Sequence, residues 1–369
     1  MSRESLVTER SAGGARIAAL AGAGLAAGVA AGVVAQRRRT RALARDDEYR
    51  ALTAPLGGDR LEVVSADGTR LHALSFAGSE TGCPATVVLA HGWTERLSLW
   101  SRVIAGLRDR GLRVVAYDLR GHGSSELAAD GDYAIERFGE DVEAVLLAAG
   151  GPASQTVVVG HSLGGMSIAA WAARHDVRER VAGALITNAG VDDLIGGALV
   201  FGALGSALSP RWLSRGLLSS SVPLPPLSTP IGQATIRRIA FGSDATRAQV
   251  AFYERMLIET PASVRAATGI ALSDLDLRSA LARLTVSTVV IAGDEDRLTP
   301  PAHSQRIAAA LPDPAGLIVL ERTGHMSPLE RPREVAEAVA TLTESVVGAD
   351  AATLTESIVG ADAATPTAA

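Results

Sequence analysis

Thr156-Val157-Val158-Val159-Gly160-His161-Ser162-Leu163-Gly164-Gly165-Met166 is a β-branched run that breaks at a glycine and passes straight into a helix-forming stretch. Residues 156–160 read as a buried strand, and the residues from 165 to about 174 as a helix. Between them lies Gly160-His161-Ser162-Leu163-Gly164, a G-x-S-x-G pentapeptide. In that setting the motif predicts a sharp strand-to-helix turn, which lifts the serine hydroxyl out of a sheet and strains its backbone. The glycines leave room for the close contacts of the turn. The new helix aims its N-terminus at the serine, where its dipole favours developing negative charge. Ser162 is therefore the candidate nucleophile.

The same alternation of short apolar strands and helices extends on both sides. Residues 61–65 and 70–76 read as strands around the turn signal Asp67-Gly68. Strands at 86–90, 113–118 and 181–187 alternate with helices at 97–110 and 135–149. This rhythm predicts a mostly parallel sheet with helices on both faces. It stops at residue 190. From 190 to 280 there are helical stretches, a Pro/Ser-rich segment around 223–230 and no clear strand, which reads as a helical cap inserted over the sheet edge. Its apolar run, residues 195–208, is too short to cross a membrane. Strands return at 288–292 and 317–320, with helices at about 301–311 and 332–346. The core thus divides into 60–189 and 281–347.

A serine hydroxyl needs a base to take its proton. Of the seven histidines, His325, in Gly324-His325-Met326-Ser327, follows the last strand at the sheet's C-terminal edge, where a base must sit. His72, His175 and His303 are expected at the surface. His161 is expected to point away from the hydroxyl, and His91 to hold its loop. The acid must come from another strand end. Gly293-Asp294-Glu295-Asp296 offers three carboxylates; Asp296, further out on the loop, is the choice, with Asp294 capping the turn. Two backbone N–H groups are needed for an oxyanion. Leu163 follows the nucleophile, and Trp93 lies in His91-Gly92-Trp93 just after a strand.

The chain resembles the α/β-hydrolase superfamily, in its esterase, lipase and peroxidase-like branch, over about residues 60–346. The resemblance rests on His91-Gly92-Trp93, Asp118-Leu119-Arg120-Gly121-His122-Gly123, the Ser162 turn, the Asp296 loop with Pro300, and Gly324-His325, in that order. It implies a cap over the site and a structural role for the loop of Arg120 and His122. The expected activity is hydrolysis of a small, apolar carboxylic ester through an acyl-enzyme. Thioester or C–C bond hydrolysis, acyl transfer and perhydrolysis share this machinery. A ligand receptor with vestigial turnover is the rival from another class.

Composition narrows the alternatives. All 35 basic residues are arginine, so lysine Schiff-base, pyridoxal and P-loop chemistry are excluded. Cys83 is the single cysteine, which rules out an intrachain disulfide or a cysteine metal cluster. The expected chemistry calls for no metal and no organic cofactor, and the net charge of −5 gives no reason to expect nucleic-acid binding.

The ends lie outside the family pattern. Residues 17–35 are an uncharged Ala/Gly-rich run, with Arg37, Arg38, Arg39, Arg41 and Arg45 after it. This reads as a single membrane span following a short tail (1–16), with the catalytic domain held in the cytoplasm. Secretion after cleavage near Ala35 is the alternative. Residues 36–59 read as an arginine-rich segment and linker. The tail repeats a 12-residue unit, 341–352 and 353–364, differing only at Val346 and Ile358. Its first copy is expected to finish the last helix, and 348–369 to dangle.

Overall fold

The computed structural model describes residues 36, 38–78, 85–194 and 229–361. Its centre is an eight-stranded sheet in the order β1-β2-β4-β3-β5-β6-β7-β8. The strands are β1 (Asp59–Val64), β2 (Arg70–Phe76), β3 (Thr86–Ala90), β4 (Arg113–Tyr117), β5 (Thr156–His161), β6 (Gly183–Thr187), β7 (Ser287–Gly293) and β8 (Pro314–Leu320). The pairs β1/β2 and β2/β4 are antiparallel, and every later pair is parallel. Every residue of β3 and β5 is buried, as their unbroken apolar runs require for strands covered on both faces.

The pleat divides these residues between two cores. Val88, Val115 and Val158 face α3 (Ile135–Ala149) and α4 (Leu163–Ala172), meeting Phe138, Ile168 and Trp171. Val87, Val114 and Val157 face α2 (Ser101–Asp109) and α9 (Pro332–Ala361), meeting Leu107, Val335 and Val339. Each such side chain, fully buried, contributes about 1.5–3 kcal/mol. Helix α3 shows how the sequence selects its face: Ile135, Phe138, Val142, Val145 and Ala149 recur at helical spacing and are buried. Gly150, with φ of 64°, ends it.

The segment between β6 and β7 holds α5 (Pro230–Ala240), α6 (Arg247–Glu259) and α7 (Ala262–Ser273), and no strand among the described residues. Thr246 begins α6 as a reciprocal capping box with Gln249. Residues 195–228, with the apolar run 195–208, lie outside the described residues, as does Cys83. Helix α8 (Pro301–Ala310) connects β7 to β8.

Three expectations change. A membrane-anchored enzyme is not what the structure supports. Among the described residues no helix is long and apolar enough to cross a membrane. The run 17–35 on which that reading rested lies outside them. The arginine-rich segment after it folds onto the domain: residues 38–43 are helical, and Arg39 donates a hydrogen bond to Gln233 of α5. The stretch read as a linker contains α1 (Asp47–Thr53), capped by Asp46, with Leu52 buried and the helix packed on α6. The tail is not structureless from 348, because α9 runs to Ala361. Each copy of its repeat has three alanines, and no proline interrupts the chain between Pro332 and Pro366.

Arg120 joins the hairpin to the sheet. It is fully buried and bonds both oxygens of Asp141 on α3, at 2.8 and 2.7 Å, as well as Asp67 of the β1–β2 turn at 2.8 Å. Removing only the cation strands two buried carboxylates. Arg120→Met is therefore expected to lower the unfolding free energy by about 3–5 kcal/mol, read as a reduced denaturant midpoint at unchanged slope. A loss under about 1 kcal/mol would show that this cluster does not fix the hairpin.

Candidate active site

Six parallel strands lie side by side, and the loops after β3, β5, β6, β7 and β8 converge, as open α/β sheets arrange their binding crevices. After β5 the chain turns directly into α4 at Ser162. Ser162 has φ of 51° and ψ of −116°, a conformation that costs a non-glycine residue about 1–3 kcal/mol. A Cβ on Gly160 would lie 2.5 Å from the Gly164 carbonyl carbon, and one on Gly164 would lie 2.3 Å from the Ala90 carbonyl oxygen. Only glycines allow α4 to start this close to β3 and β5.

Three of the residues named from the sequence meet in one line. The Ser162 Oγ is 3.0 Å from His325 Nε2, and His325 Nδ1 is 2.9 Å from Asp296 Oδ2. Asp296 and His325 are both buried. Asp296 Oδ2 also accepts from Asn188 Nδ2 and from the Thr299 hydroxyl, each at 2.9 Å. Its Oδ1 accepts the N–H groups of Leu298 and Thr299. Burial alone would raise the Asp296 pKa, but the neighbouring His325 and these donors hold it below the ordinary value. Asp294 stands apart and accepts the Thr323 N–H.

The two other chosen residues flank Ser162. Leu163 is the first residue of α4, and its N–H belongs to the unpaired first turn. Trp93 follows Gly92, where an added Cβ would lie 3.0 Å from Ser162 Cβ. His91, buried, fixes this loop: Nδ1 bonds the Gly92 carbonyl at 2.8 Å and Nε2 accepts the Leu119 N–H at 3.0 Å.

Ser162 and His325 open into a cavity of about 340 Å³. Its walls are Met166 of α4, Leu194, Ile236 and Ile239 of α5, Tyr253 and Leu257 of α6, Leu272 of α7, and Leu298. The hydroxyls of Thr94 and Tyr253, 3.3 Å apart, are a polar spot in that wall. Larger surface clefts, one between α2, β8 and α9 and one beside α5, contain neither Ser162 nor His325.

Several neighbours had no clear sequence signal. Asn188, beyond β6 with φ of 49°, holds both Asp296 and the Gly324 carbonyl. Polar Thr187-Asn188 at the end of an apolar strand was the available hint. Glu330 accepts the N–H groups of Gly242 and Gly324, and burial pushes its pKa up to about 7. Glu95 pairs with His161 beneath the serine. His303, expected at the surface, is buried and bonded to Arg306 through Nδ1. No group of histidine, cysteine and carboxylate side chains able to hold a metal occurs among the described residues.

The alpha/beta hydrolase fold family model matches residues 85–332. The chain is 29% identical to 3-oxoadipate enol-lactonase 2 of Acinetobacter baylyi, over 72% of this chain and 91% of that protein. It is 26% identical to a non-heme haloperoxidase of Rhodococcus erythropolis, over 71% of this chain and 92% of the relative. An esterase from Exiguobacterium antarcticum superposes with a TM-score of 0.63 at 19% identity, covering 77% of this chain and 99% of the esterase. The chain belongs to the alpha/beta hydrolase fold family and is an enzyme of that fold.

Proposed function

We propose that this enzyme hydrolyses carboxylic esters with apolar acyl groups, using Ser162 as nucleophile, His325 as general base and Asp296 as the acid that orients it. The supporting observation is the hydrogen-bonded line from Ser162 through His325 to Asp296 at the mouth of an apolar cavity. Ser162 Oγ attacks the ester carbonyl carbon while His325 Nε2 accepts its proton. Asp296 holds Nδ1–H and stabilises the imidazolium. The N–H groups of Trp93 and Leu163 bind the oxyanion. Collapse of this intermediate expels the alcohol, which takes the proton from His325. Water, deprotonated by His325, then attacks the acyl-enzyme and releases the acid. The sequence of steps needs no metal or organic cofactor.

The relatives' names include a lactone, an ester and a peroxidase chemistry, so the scaffold leaves the bond class open and the cavity must decide it. Helices α5, α6 and α7 act as the cap. Their contribution to the cavity is apolar apart from Tyr253 and Thr235, which favours a hydrocarbon acyl chain over a charged or sugar-like one. The volume lies at the low end for ligand sites, which favours short-to-medium chains.

Ser162→Ala is expected to reduce turnover by about 10⁴ or more and to abolish labelling by a fluorophosphonate, with folding unchanged. Retention of a tenth of the activity would refute the mechanism. Asp296→Asn should cost about 10⁴ in kcat, because the imidazole loses the acceptor that fixes its tautomer. Asp294→Asn should leave the rate within about threefold; the reverse order would reassign the acid. Across p-nitrophenyl esters, kcat/KM should rise from acetyl to about hexanoyl or octanoyl and fall for longer chains. Equal rates on all chain lengths would remove the cavity as the acyl site.

A further inference from the structure

We propose that His161 is a fixed imidazolium that, with Glu95, clamps the loop bearing the base to the loop bearing the oxyanion donor, and so serves as a positioning residue for the reaction proposed above. The inference rests on that reaction for its effect on rate, but the ring's protonation is a property of the resting protein.

His161 is the last residue of β5. The ring is fully buried, and each nitrogen meets an oxygen that can only accept. Nδ1 is 3.0 Å from Glu95 Oε2, and Nε2 is 2.8 Å from the His325 carbonyl oxygen. A neutral imidazole carries one proton and one lone pair, so one of these contacts would set a lone pair against an oxygen. The doubly protonated ring donates at both. Burial alone would push the His161 pKa down, yet the Glu95 charge and hydrogen bond hold it above the ordinary value. Burial would raise Glu95, and the pairing holds it below its ordinary value. The other titratable groups facing the ring are His91 at the end of β3, Asp296 and His325.

The Glu95 oxygen that meets His161 also accepts the Gly92 N–H. A continuous path therefore runs from the Gly92 N–H through Glu95 and His161 to the His325 carbonyl. One end sets the peptide next to Trp93, and the other fixes the backbone of the base. Neither touches Ser162 Oγ. The pair also balances charge. An unpaired Glu95 carboxylate on this loop would oppose an oxyanion. An unpaired His161 imidazolium, its ring centre 5.0 Å from that of His325, would oppose protonation of the base.

The test combines two measurements. In protein labelled with ¹⁵N-histidine, His161 (assigned by the signal lost in His161→Gln) should show both ring nitrogens protonated well above the ordinary histidine pKa of about 6.5. A single protonated nitrogen there would overturn the proposal. On an ester substrate, His161→Gln and Glu95→Gln should each lower kcat about 10–100-fold, with KM changed less than about threefold. The double variant should be less impaired than the sum of the two, because it leaves no uncompensated charge. Loss of the His161 proton with rising pH should add an alkaline fall in kcat that His161→Gln lacks. Unchanged kcat in both single variants would also overturn the proposal. If His161→Gln does not fold, Glu95→Gln provides the same comparison and should return His161 to an ordinary titration. Ser162→Ala separates the two readings: if it retained turnover, the reaction scheme would fail, while the ring protons would still be read directly.

Discussion

The approach of α4 to the ends of β3 and β5 is the constraint on which the rest of the site depends. At Gly160 and Gly164, peptide groups lie where any Cβ would collide with backbone. That contact leaves Ser162 no room in an ordinary conformation, so its backbone enters the left-handed half of the map. The strain is offset locally: the Ser162 N–H bonds the Thr187 carbonyl of β6, and its own carbonyl accepts from Met166. The Thr187 bond ties the turn to β6 and the Gly164 contact sets it against β3, so its position is inherited from the sheet rather than from a free loop. A functional side chain on such a junction is held more closely than one on a surface loop.

Two buried charge clusters serve different ends. Arg120 with Asp141 and Asp67 secures the antiparallel hairpin to the core and lies away from the cavity. His161 with Glu95 lies beside Ser162 and connects loops rather than layers. Buried ion pairs are poor evidence of net stability, because desolvation offsets most of their attraction. Their persistence is easier to understand as orientation. The arginine fork fixes directions through several donors at once, and the imidazole fixes two through its opposed nitrogens.

Most of the fold was legible because its signals are local. Uninterrupted valine runs mark β3, β4 and β5, Asp67-Gly68 marks the hairpin, and helical spacing marks α3 with both ends correct. The residues chosen for the site follow from a related rule, that chemistry in this architecture collects just after strands. The partners of those residues were illegible for the converse reason. Asn188, Glu95 and Glu330 matter through contacts with residues more than a hundred positions away or on another element, and apart from the polar Thr187-Asn188 pair their own neighbourhoods do not announce it. His303 was misplaced because a histidine on a helix start looks exposed until the helix is seen to lie over Gly190. Helix α1 was read as a linker because a single buried leucine, Leu52, carries its packing. The membrane reading rested on apolar length and on the arginines after it; no helix among the described residues is long and apolar enough to cross a membrane, and one of those arginines, Arg39, bonds Gln233 of α5.

The end of α5 is joined to His325 more firmly than the term cap suggests. The Ala240 carbonyl accepts the His325 N–H at 2.9 Å, and a Cβ on Gly324 would lie 2.3 Å from the Phe241 carbonyl carbon. Glu330 bridges Gly242 and Gly324 through its two oxygens, and Glu295, beside the acid, accepts the Ser243 N–H at 2.7 Å. Residues 240–243 are therefore part of the frame that holds His325 and Asp296. The same helix supplies Ile236 and Ile239 to the cavity wall. In the proposed reaction, an acyl group that presses on that wall acts on a backbone hydrogen-bonded to His325, and packed interiors transmit such displacement because they compress little. In the reaction proposed above, recognition of the acyl chain and alignment for proton transfer share one rigid element. For that reason, chain length should influence kcat as well as KM.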